Sequence, residues 1–478
     1  MIKASGLITL SAMLTFGGTV FADGLTPREA ELLQRVETLE KRLSEVEGKN
    51  DANWLDQRRA EEVKGLIREV LSDADTRASL LQDGATAGWN KGKFFLGSAD
   101  GTFLLNIGGR IQFRHIYTNR DTARIDLNDD GDVADAGEAN QDNGEAGFTL
   151  RRMKPAFSGF VGSPKFTYNV VMAADRNTTV VGLEEAKVGY AFTDSLSVEF
   201  GRFKAPGHRE ETTSSGRQLA VERSYINEAF TIGFTEGVNT VYATDLFKAQ
   251  AMIHDGRNQG EIGNAANDFL NDTTDIAVTG RIDFRIAGDW KQMEDFSAWS
   301  GEQTGIFLGA MITYEVAESG TSTGAGSNID NIYWTVDGSM EMNGLGIYAA
   351  IFGRHLNDED GSAGEDNFDQ YAILVQASYF VVADTFEPFV RFEWIDMDHF
   401  SPFAVGQTAL NAAYDDEIYL ITVGFNWYFR KHDAKFSMDI VFLPDDALPV
   451  AQTGLGLLQD DDDDSGQFVI RSQFQLQY

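Results

Sequence analysis

The chain has no cysteine in its 478 residues, which excludes disulfide bonds and thiolate metal sites. Proline is scarce, with 8 residues, whereas glycine (48), phenylalanine (34) and tyrosine (14) are plentiful, and this balance favours strands and tight turns. Basic residues are outnumbered, 39 against 74 acidic ones, for a formal net charge of −35. Nucleic-acid binding needs a basic surface, so this charge argues against it unless the charges are segregated.

Beyond residue 22 the sequence lacks any run of about 18 apolar residues, so it predicts no transmembrane helix. The first 22 residues combine Lys3, an apolar stretch over 7–16 and the small-residue cleavage pattern VFA at 20–22. This pattern predicts a signal peptide over residues 1–22. The alternative is an N-terminal membrane anchor.

Residues 25–81 have a helical period that differs from everything after them. Apolar residues recur at alternating spacings of four and three, at Leu32, Val36, Leu39, Leu43 and Val46. A second helical stretch covers 58–74. We therefore predict a periplasmic helical or coiled-coil segment over residues 23–88 that favours a homo-oligomer and could contact the cell wall. A single amphipathic helix is the alternative.

From about residue 91 the apolar period changes to two, which is typical of strands with one apolar and one polar face. The last segment, QFVIRSQFQLQY, has Phe468, Ile470, Phe474, Leu476 and Tyr478 on one face, with Ser472 as the exception. A terminal strand that is apolar on one side and ends in an aromatic residue is typical of outer-membrane barrels.

Sixteen segments carry this pattern, an even number that suits a bacterial barrel. They lie near residues 102–119, 147–162, 165–175, 183–192, 195–204, 237–245, 247–254, 273–286, 304–316, 330–341, 344–355, 368–382, 385–397, 415–429, 434–443 and 467–478. The predicted fold class is therefore all-β, a transmembrane antiparallel β-barrel of about 16 strands over residues 89–478, in contact with outer-membrane lipid. Short connections (193–195, 383–385) alternate with long ones (120–146, 255–272, 356–367), as expected for periplasmic turns and external loops.

Charge is segregated along the barrel region. Residues 121–145 contain nine acidic residues and one basic residue, whereas residues 147–223 contain eleven Lys or Arg and eight Asp or Glu. The acidic blocks are predicted to be exposed loops and the basic residues to lie near the barrel wall.

The most acidic block also contains the start of a calcium-loop pattern, D-x-[DN]-x-[DN]-G. Its residues are Asp126, Asn128, Asp130, Gly131 and Asp132. The twelfth position, which should hold a bidentate acid, is Gly137, and Glu138 follows one residue late. Two interpretations stay open: calcium bound by Asp126, Asn128, Asp130 and Asp132 in an external loop, or a solvated acidic loop. No other cofactor is expected.

Three stretches, LRRMKPAFSGFVGSPKFTYNVVMAADRN, LEEAKVGYAFTDSLSVEFGRFKAP and REETTSSGRQLAVERS, carry four motifs in order. They are an Arg-Arg-x-Lys strand followed by Gly159, a Val-Gly-Tyr strand, a Gly-x-Phe-Lys-x-Pro corner and a Thr-Ser-Ser…Glu-Arg-Ser loop. Over about residues 105–225 the chain resembles the phosphate-selective porin O/P family. The resemblance implies a trimeric sixteen-stranded channel whose third loop, here about 205–235, folds inward and whose basic side chains guide anions.

Within that loop, the resemblance implies a constriction region that contains Arg209, Arg217 and Arg223 together with Glu210, Glu211 and Glu222. These side chains either line the narrowest part of the channel or pair with one another to hold the loop.

Residue parity predicts which wall cations face the lumen. In NIGGRIQFRHIY, Ile107, Ile111 and Phe113 share the apolar face, so Arg110 and Arg114 share the polar one with Gln112.

In FTLRRMKPAFSGFV the apolar positions are even at Phe148 and odd at Phe157, so a β-bulge is expected between 151 and 157. With this bulge Arg151 and Lys154 face the lumen, and Arg152 lies at the irregularity.

Arg202 and Lys204 have the parity of the apolar face and are placed at the rim or beyond a break at Gly201. For all of these cations, the alternative to anion binding is solvation or ion pairing inside a polar lumen.

The sequence carries no H-E-x-x-H, no G-x-S-x-G and no phosphate-cradling glycine loop, so no enzyme is predicted. The predicted function is an outer-membrane porin for passive diffusion of small hydrophilic solutes, with a possible preference for anions or phosphate. The acidic loops would repel anions, yet a narrow pore can still be locally positive. The alternative is a non-transport barrel that anchors the envelope through the N-terminal coil.

Overall fold

The computed structural model describes residues 34–35, 38, 41, 84–90, 93–120, 124–125, 139–140, 143–174, 181–257, 274–317, 329–358, 367–396, 417–444, 454–458 and 466–478. The chain divides into two units, Met1–Gln82 and Asp83–Tyr478. In the first unit the described residues are helical, and the Thr38 hydroxyl donates to the Gln34 carbonyl at 2.6 Å. The predicted signal peptide and most of the predicted coiled coil lie outside the described residues.

The described strands, in chain order, are β1 (Ala85–Asn90), β2 (Lys93–Ser98), β3 (Phe103–Arg120), β4 (Arg124–Ile125), β5 (Ala139–Asn140), β6 (Gly144–Val161), β7 (Ser163–Ala174), β8 (Val181–Ala191), β9 (Leu196–Lys204), β10 (Phe234–Ala243), β11 (Phe247–His254), β12 (Thr274–Ala287), β13 (Gly305–Ala317), β14 (Ile329–Met342), β15 (Leu345–Asp358), β16 (Asn367–Tyr379), β17 (Phe386–Asp396), β18 (Glu417–Arg430), β19 (Ala434–Leu443) and β20 (Gln467–Gln477). The helices are α1 (Arg209–Thr212), α2 (Tyr225–Phe230) and a 3₁₀ helix (Trp290–Glu294). Within the described residues, no helix is long and apolar enough to cross a membrane.

One sheet of 18 strands forms the body of the fold, and sixteen of these strands close into an antiparallel barrel. β3 pairs with β6, each strand from β6 to β19 pairs with the next, and β20 pairs back with β3, with Gln477 opposite Arg110. All sixteen predicted segments coincide with barrel strands to within a few residues, so the predicted fold class is confirmed.

The barrel is apolar outside and polar inside. On β16, Tyr371, Ile373 and Val375 point outward and are exposed, whereas Gln370 and Gln376 point inward and are buried. This arrangement is the reverse of a water-soluble protein, and it is expected of a closed barrel surrounded by lipid.

Connections at one end of the barrel are short. Asn343 and Gly344, with φ angles of 51° and 86°, form a two-residue turn between β14 and β15, which needs two left-handed residues. The connection between β12 and β13 is the exception at this end, because it covers residues 288–304. Longer connections lie at the other end.

A hairpin of β1 and β2 extends the sheet beyond the C-terminal end of β20. The sequence did not predict this hairpin. Its second strand pairs with the start of β3, Phe94 opposite Ile107, just past the point where Tyr478 pairs with Gly109. The sheet therefore begins at Ala85, inside the region placed in the helical segment. The sequence ATAGWN hid this strand because its small residues show no apolar alternation.

Candidate functional site

The connection between β9 and β10, residues 205–233, folds into the barrel, and we call it L3. Its apolar residues Leu219, Tyr225, Ile226 and Phe230 are buried in one cluster with inward-facing residues of β13–β19. These wall positions include Tyr333, Phe352, Leu374 and Leu420. An apolar cluster thus lies among the polar residues on the inner face of β13–β19, and L3 is held against it by the hydrophobic effect.

The two ends of helix α2 are bound by residues from outside L3. Glu393 on β17 accepts hydrogen bonds from the backbone N–H groups of Tyr225 and Ile226 at 2.6 and 3.3 Å, where the helix N-terminus favours a negative charge. At the other end, Arg257 and Arg354 donate to the Ala229 carbonyl at 2.5 and 3.2 Å. L3 is therefore anchored by charge as well as by apolar contact.

Three arginines bind one carboxylate of L3. Glu222 accepts from Arg114 at 2.9 Å, from Arg151 at 2.8 Å and from Arg152 at 2.6 Å. Burial alone would raise the pKa of Glu222, but Arg151, Arg152 and Arg114 outweigh burial and hold this pKa well below its ordinary value. The carboxylate therefore stays ionised and ties L3 to β3 and β6.

The predicted bulge lies at Arg151. Gln112 on β3 pairs with Arg152, and the next residue, Phe113, pairs with Leu150, so Arg151 is the extra residue. Both Arg151 and Arg152 consequently reach into the barrel, whereas Phe148 remains exposed on the outside.

Arg114 also points inward, but its guanidinium is fully buried. It donates to the Val221 carbonyl of L3 at 2.9 Å and to the carbonyl of Gly454, in the connection between β19 and β20, at 2.9 Å. L3 and the 454–458 segment cover this arginine, so it supports the loops and is not among the residues that line the cavity described below.

A cavity of about 1830 Å³ lies inside the barrel between L3 and the wall of β6–β12. Among the described residues that line it, twelve are basic and nine are acidic. Nine of the predicted cations are in this lining: Arg110, Arg151, Arg152, Lys154, Arg202, Lys204, Arg209, Arg217 and Arg223.

Arg202 and Lys204 reach the cavity because β9 changes direction at Gly201. This glycine has a φ of 120°, and a Cβ at the position would lie 2.2 Å from the Ala186 carbonyl oxygen. Phe200 before it is exposed on the outside, and Arg202 after it is buried inside. The break inferred from parity thus coincides with a backbone conformation that L side chains rarely adopt.

Many lining cations are paired with acids across neighbouring elements. Lys154 on β6 pairs with Glu184 on β8, and Lys204 on β9 pairs with Glu211 of L3. Lys204 and Arg223 lower the pKa of Glu211 even though burial opposes them, so this L3 acid is ionised. The predicted alternative of ion pairing inside the lumen therefore describes several of these side chains.

The L3 arginines have different partners. Arg223 donates to the carbonyls of Thr213 at 2.7 Å and Glu210 at 3.0 Å, so it holds L3 to itself. Arg209 and Arg217 instead contact the 288–304 connection, through the Asp295 carbonyl at 2.7 Å and the Glu294 carboxylate respectively.

Three lining cations were not predicted: Lys187, Lys248 and Arg281. Parity on β8, β11 and β12 would have found them, because each alternates with outward apolar residues such as Val188. Arg281 pairs with Asp337 at 2.8 Å and donates to the Gly207 carbonyl at 3.2 Å, so it also steadies the start of L3.

The candidate calcium ligands Asp126, Asn128, Asp130 and Asp132 lie outside the described residues. In the part of the chain that the structure describes, no group of three or more His, Cys, Asp or Glu side chains could hold a metal ion.

Known structures share the barrel. The anion-selective porin from Comamonas acidovorans has a TM-score of 0.50 at 11% sequence identity, over 78% of this chain and 99% of that one. OmpT (in-vitro folded), an outer membrane protein of Vibrio cholerae, has a TM-score of 0.48 at 13% identity, over 78% of this chain and 98% of that one. At these identities the likeness concerns the fold alone.

Sequence comparison is more specific. An uncharacterized protein of Aquifex aeolicus (strain VF5) is 25% identical over 283 residues, which are 54% of this chain and 63% of that relative, so less than two thirds of its length is matched. Residues 124–441 match the family described as phosphate-selective porin O and P, which is more than half of the chain. The chain belongs to the phosphate-selective porin O and P family.

Proposed function

We propose that this outer-membrane porin passes small hydrophilic anions through the cavity between L3 and the wall of β6–β12. The observation that carries the proposal is the charge of the lining. Among the described residues that line the cavity, basic side chains outnumber acidic ones by twelve to nine, although the whole chain has a net charge of −35.

A small local excess of positive charge is sufficient for anion preference in a narrow pore. Low-dielectric walls focus the field into the channel, and rings of Arg and Lys raise the local concentration of anions. The acidic external loops act over a distance of about 10 Å at moderate salt, so their repulsion weakens as ionic strength rises. Inorganic phosphate, named in the family description, is one anion of this class.

Reversal potentials of the full-length protein in a planar bilayer under a KCl gradient test the proposal. We expect an anion-selective sign. Lys154→Gln and Lys204→Gln should each move the potential toward cations, since each removes a lining charge. Lys165→Gln is the matched control, because Lys165 is exposed on β7 and does not line the cavity.

A cation-selective wild-type potential would overturn the anion preference. Discrete conductance steps separate a channel from the alternative of a barrel that only anchors the envelope, since an anchor gives no steps. Competition by inorganic phosphate against chloride current measures the finer preference.

The N-terminal region and the assembly extend the proposal. Residues 1–22 act as a signal peptide, and the stretch from residue 23 to the first strand at Ala85 forms a periplasmic coil that contacts the cell wall. Three copies of the chain assemble. Trimeric association is supported by the family resemblance and by the 4/3 spacing of Leu32, Val36 and Leu39. Sedimentation of the mature chain in detergent tests the trimer, and a monomer would contradict it.

Calcium binding by Asp126, Asn128, Asp130 and Asp132 is also a proposal, supported only by the ligand spacing. Calorimetric titration of the full chain with calcium tests it, and the absence of binding heat above the buffer control would refute it.

A further inference from the structure

A second segment also folds into the barrel, from the end that otherwise has short turns. We call residues 288–304 the inner turn. A capping box orders its start, because the Asp289 carboxylate accepts from Lys291 N–H at 2.9 Å and the Gln292 side chain accepts from Asp289 N–H at 2.8 Å. Phe296 and Trp299 bury the rest of it against the wall. The inner turn is therefore held in one conformation by its own hydrogen bonds and by apolar packing.

The inner turn is fastened to L3 by a buried arginine. Arg209 of L3 donates to the carbonyls of Gln292 at 3.1 Å and Asp295 at 2.7 Å, and its guanidinium stacks on Phe296 at 4.9 Å. Because Gln292 and Asp295 are held in this way, the two residues between them in the sequence, Met293 and Glu294, lie in the cavity lining.

A second contact between the two segments is different in kind, because it is exposed. Arg217 of L3 pairs with Glu294 of the inner turn, with side-chain exposures of 38% and 54%. By comparison, the side chain of Glu222, the L3 carboxylate that binds three arginines, is 1% exposed. Both members of the Arg217–Glu294 pair line the cavity. An exposed ion pair is worth little and exchanges partners readily.

We infer that Arg217 is a specificity-determining residue where L3 meets the inner turn, and that the Glu294 carboxylate competes with passing oxyanions for it. The guanidinium offers a planar pair of N–H donors that matches two oxygens of a carboxylate or phosphate, and a chloride ion has no such pair of oxygens. Glu294 thus stands in for the solute when none is present. The inference rests on the proposed anion channel and adds the competition between Glu294 and the solute for one guanidinium.

The experiment measures single-channel conductance of the full-length protein against concentration, first with inorganic phosphate and then with chloride. Glu294→Gln keeps the side-chain size and releases Arg217, so the phosphate concentration at half-saturation should fall about fivefold, with little change for chloride. Arg217→Lys keeps the charge and loses the planar pair of donors, so it should weaken phosphate saturation more than it changes the KCl reversal potential.

Two controls separate partner exchange from a general charge effect. Asp245→Asn removes another lining acid, one that forms no ion pair with any described residue. Glu302→Gln removes an acid of the same inner turn that does not line the cavity. In an Arg217→Gln background, Glu294→Gln should have no further effect on phosphate saturation.

The inference would be overturned if Glu294→Gln and Asp245→Asn shifted the phosphate concentration at half-saturation equally. It would also be overturned if Glu294→Gln had the same effect in the Arg217→Gln background as in the wild type. The sign of the wild-type reversal potential separately tests the proposed function. The coupling between Arg217 and Glu294 is measured from changes relative to the wild type. A cation-selective wild type would therefore refute the anion channel, and the coupling would still be measured.

Discussion

Glu222 of L3 binds Arg152 at 2.6 Å and Arg151 at 2.8 Å, two successive residues of β6 that both reach into the barrel. Successive residues of a regular strand point to opposite faces, so this contact exists only because Arg151 is the extra residue of a bulge. The bulge gives one loop carboxylate two neighbouring cations on the same strand, and Arg114 supplies a third from β3.

Replacing Glu222 by Gln should loosen L3. The substitution leaves the buried Arg114 and Arg152 and the partly exposed Arg151 without their shared carboxylate. Breaking a buried ion pair costs about 3–5 kcal/mol. We expect a lower unfolding temperature in detergent by circular dichroism and noisier single-channel currents. Glu236→Gln is the control, because Glu236 is 42% exposed and lies 4.0 Å from Arg202. Equal stability of the two variants would contradict this role for Glu222.

Arg114→Gln should act on stability more than on selectivity. Its guanidinium joins L3 to the 454–458 segment through the carbonyls of Val221 and Gly454, away from the cavity lining. The unfolding temperature should fall, while the reversal potential should change less than in Lys204→Gln. A larger change in selectivity than in Lys204→Gln would place Arg114 in the solute path instead.

Channel selectivity should depend on pH through Glu228. Burial, with added repulsion from Glu222 and Glu211, raises the pKa of Glu228 to about 6. As the pH rises through about 6, this lining residue changes from neutral to negative, so anion selectivity should fall between about pH 5 and about pH 7. Glu228→Gln should flatten that pH dependence and keep the low-pH selectivity. A variant with the same pH profile as wild type would show that another group is responsible.

Gly201→Ala should destabilise the β8–β9 pair. The added Cβ would lie 2.2 Å from the Ala186 carbonyl oxygen, at a φ of 120°. Backbone strain of this kind costs about 1–3 kcal/mol, and the direction of Arg202 and Lys204 would change with it. Gly280→Ala on β12 is the matched control, because a Cβ there meets nothing within 4 Å. Thermal unfolding of both variants measures the difference, and equal losses would exclude the proposed strain.

The sequence was sufficient to predict the wall of the barrel. Apolar alternation placed sixteen strands, and the parity changes near Arg151 and Gly201 marked two of the irregularities in the described strands. Both signals are local, since each depends only on which side of a strand a residue faces.

The contents of the barrel could not be predicted in the same way. Parity assigns Arg114 to the interior, but only the paths of L3 and the 454–458 segment bury it. The inner turn has no periodic pattern, and its position depends on contacts distant in sequence, such as Arg209 with Asp295. The β1–β2 hairpin is stabilised by pairing with β3, which its own small residues do not indicate.

The apolar cluster between L3 and β13–β19 gives the two sides of the barrel different roles. Around Phe352 and Leu374 the interior resembles the centre of a soluble protein, and its side chains contribute to the stability of the whole. Around Lys187 and Lys248 the wall faces open space. New solute preferences can therefore be engineered on β6–β12 while β13–β19 keep the molecule folded. Tolerance to mutation should depend more on which strand carries the residue than on its height along the barrel axis.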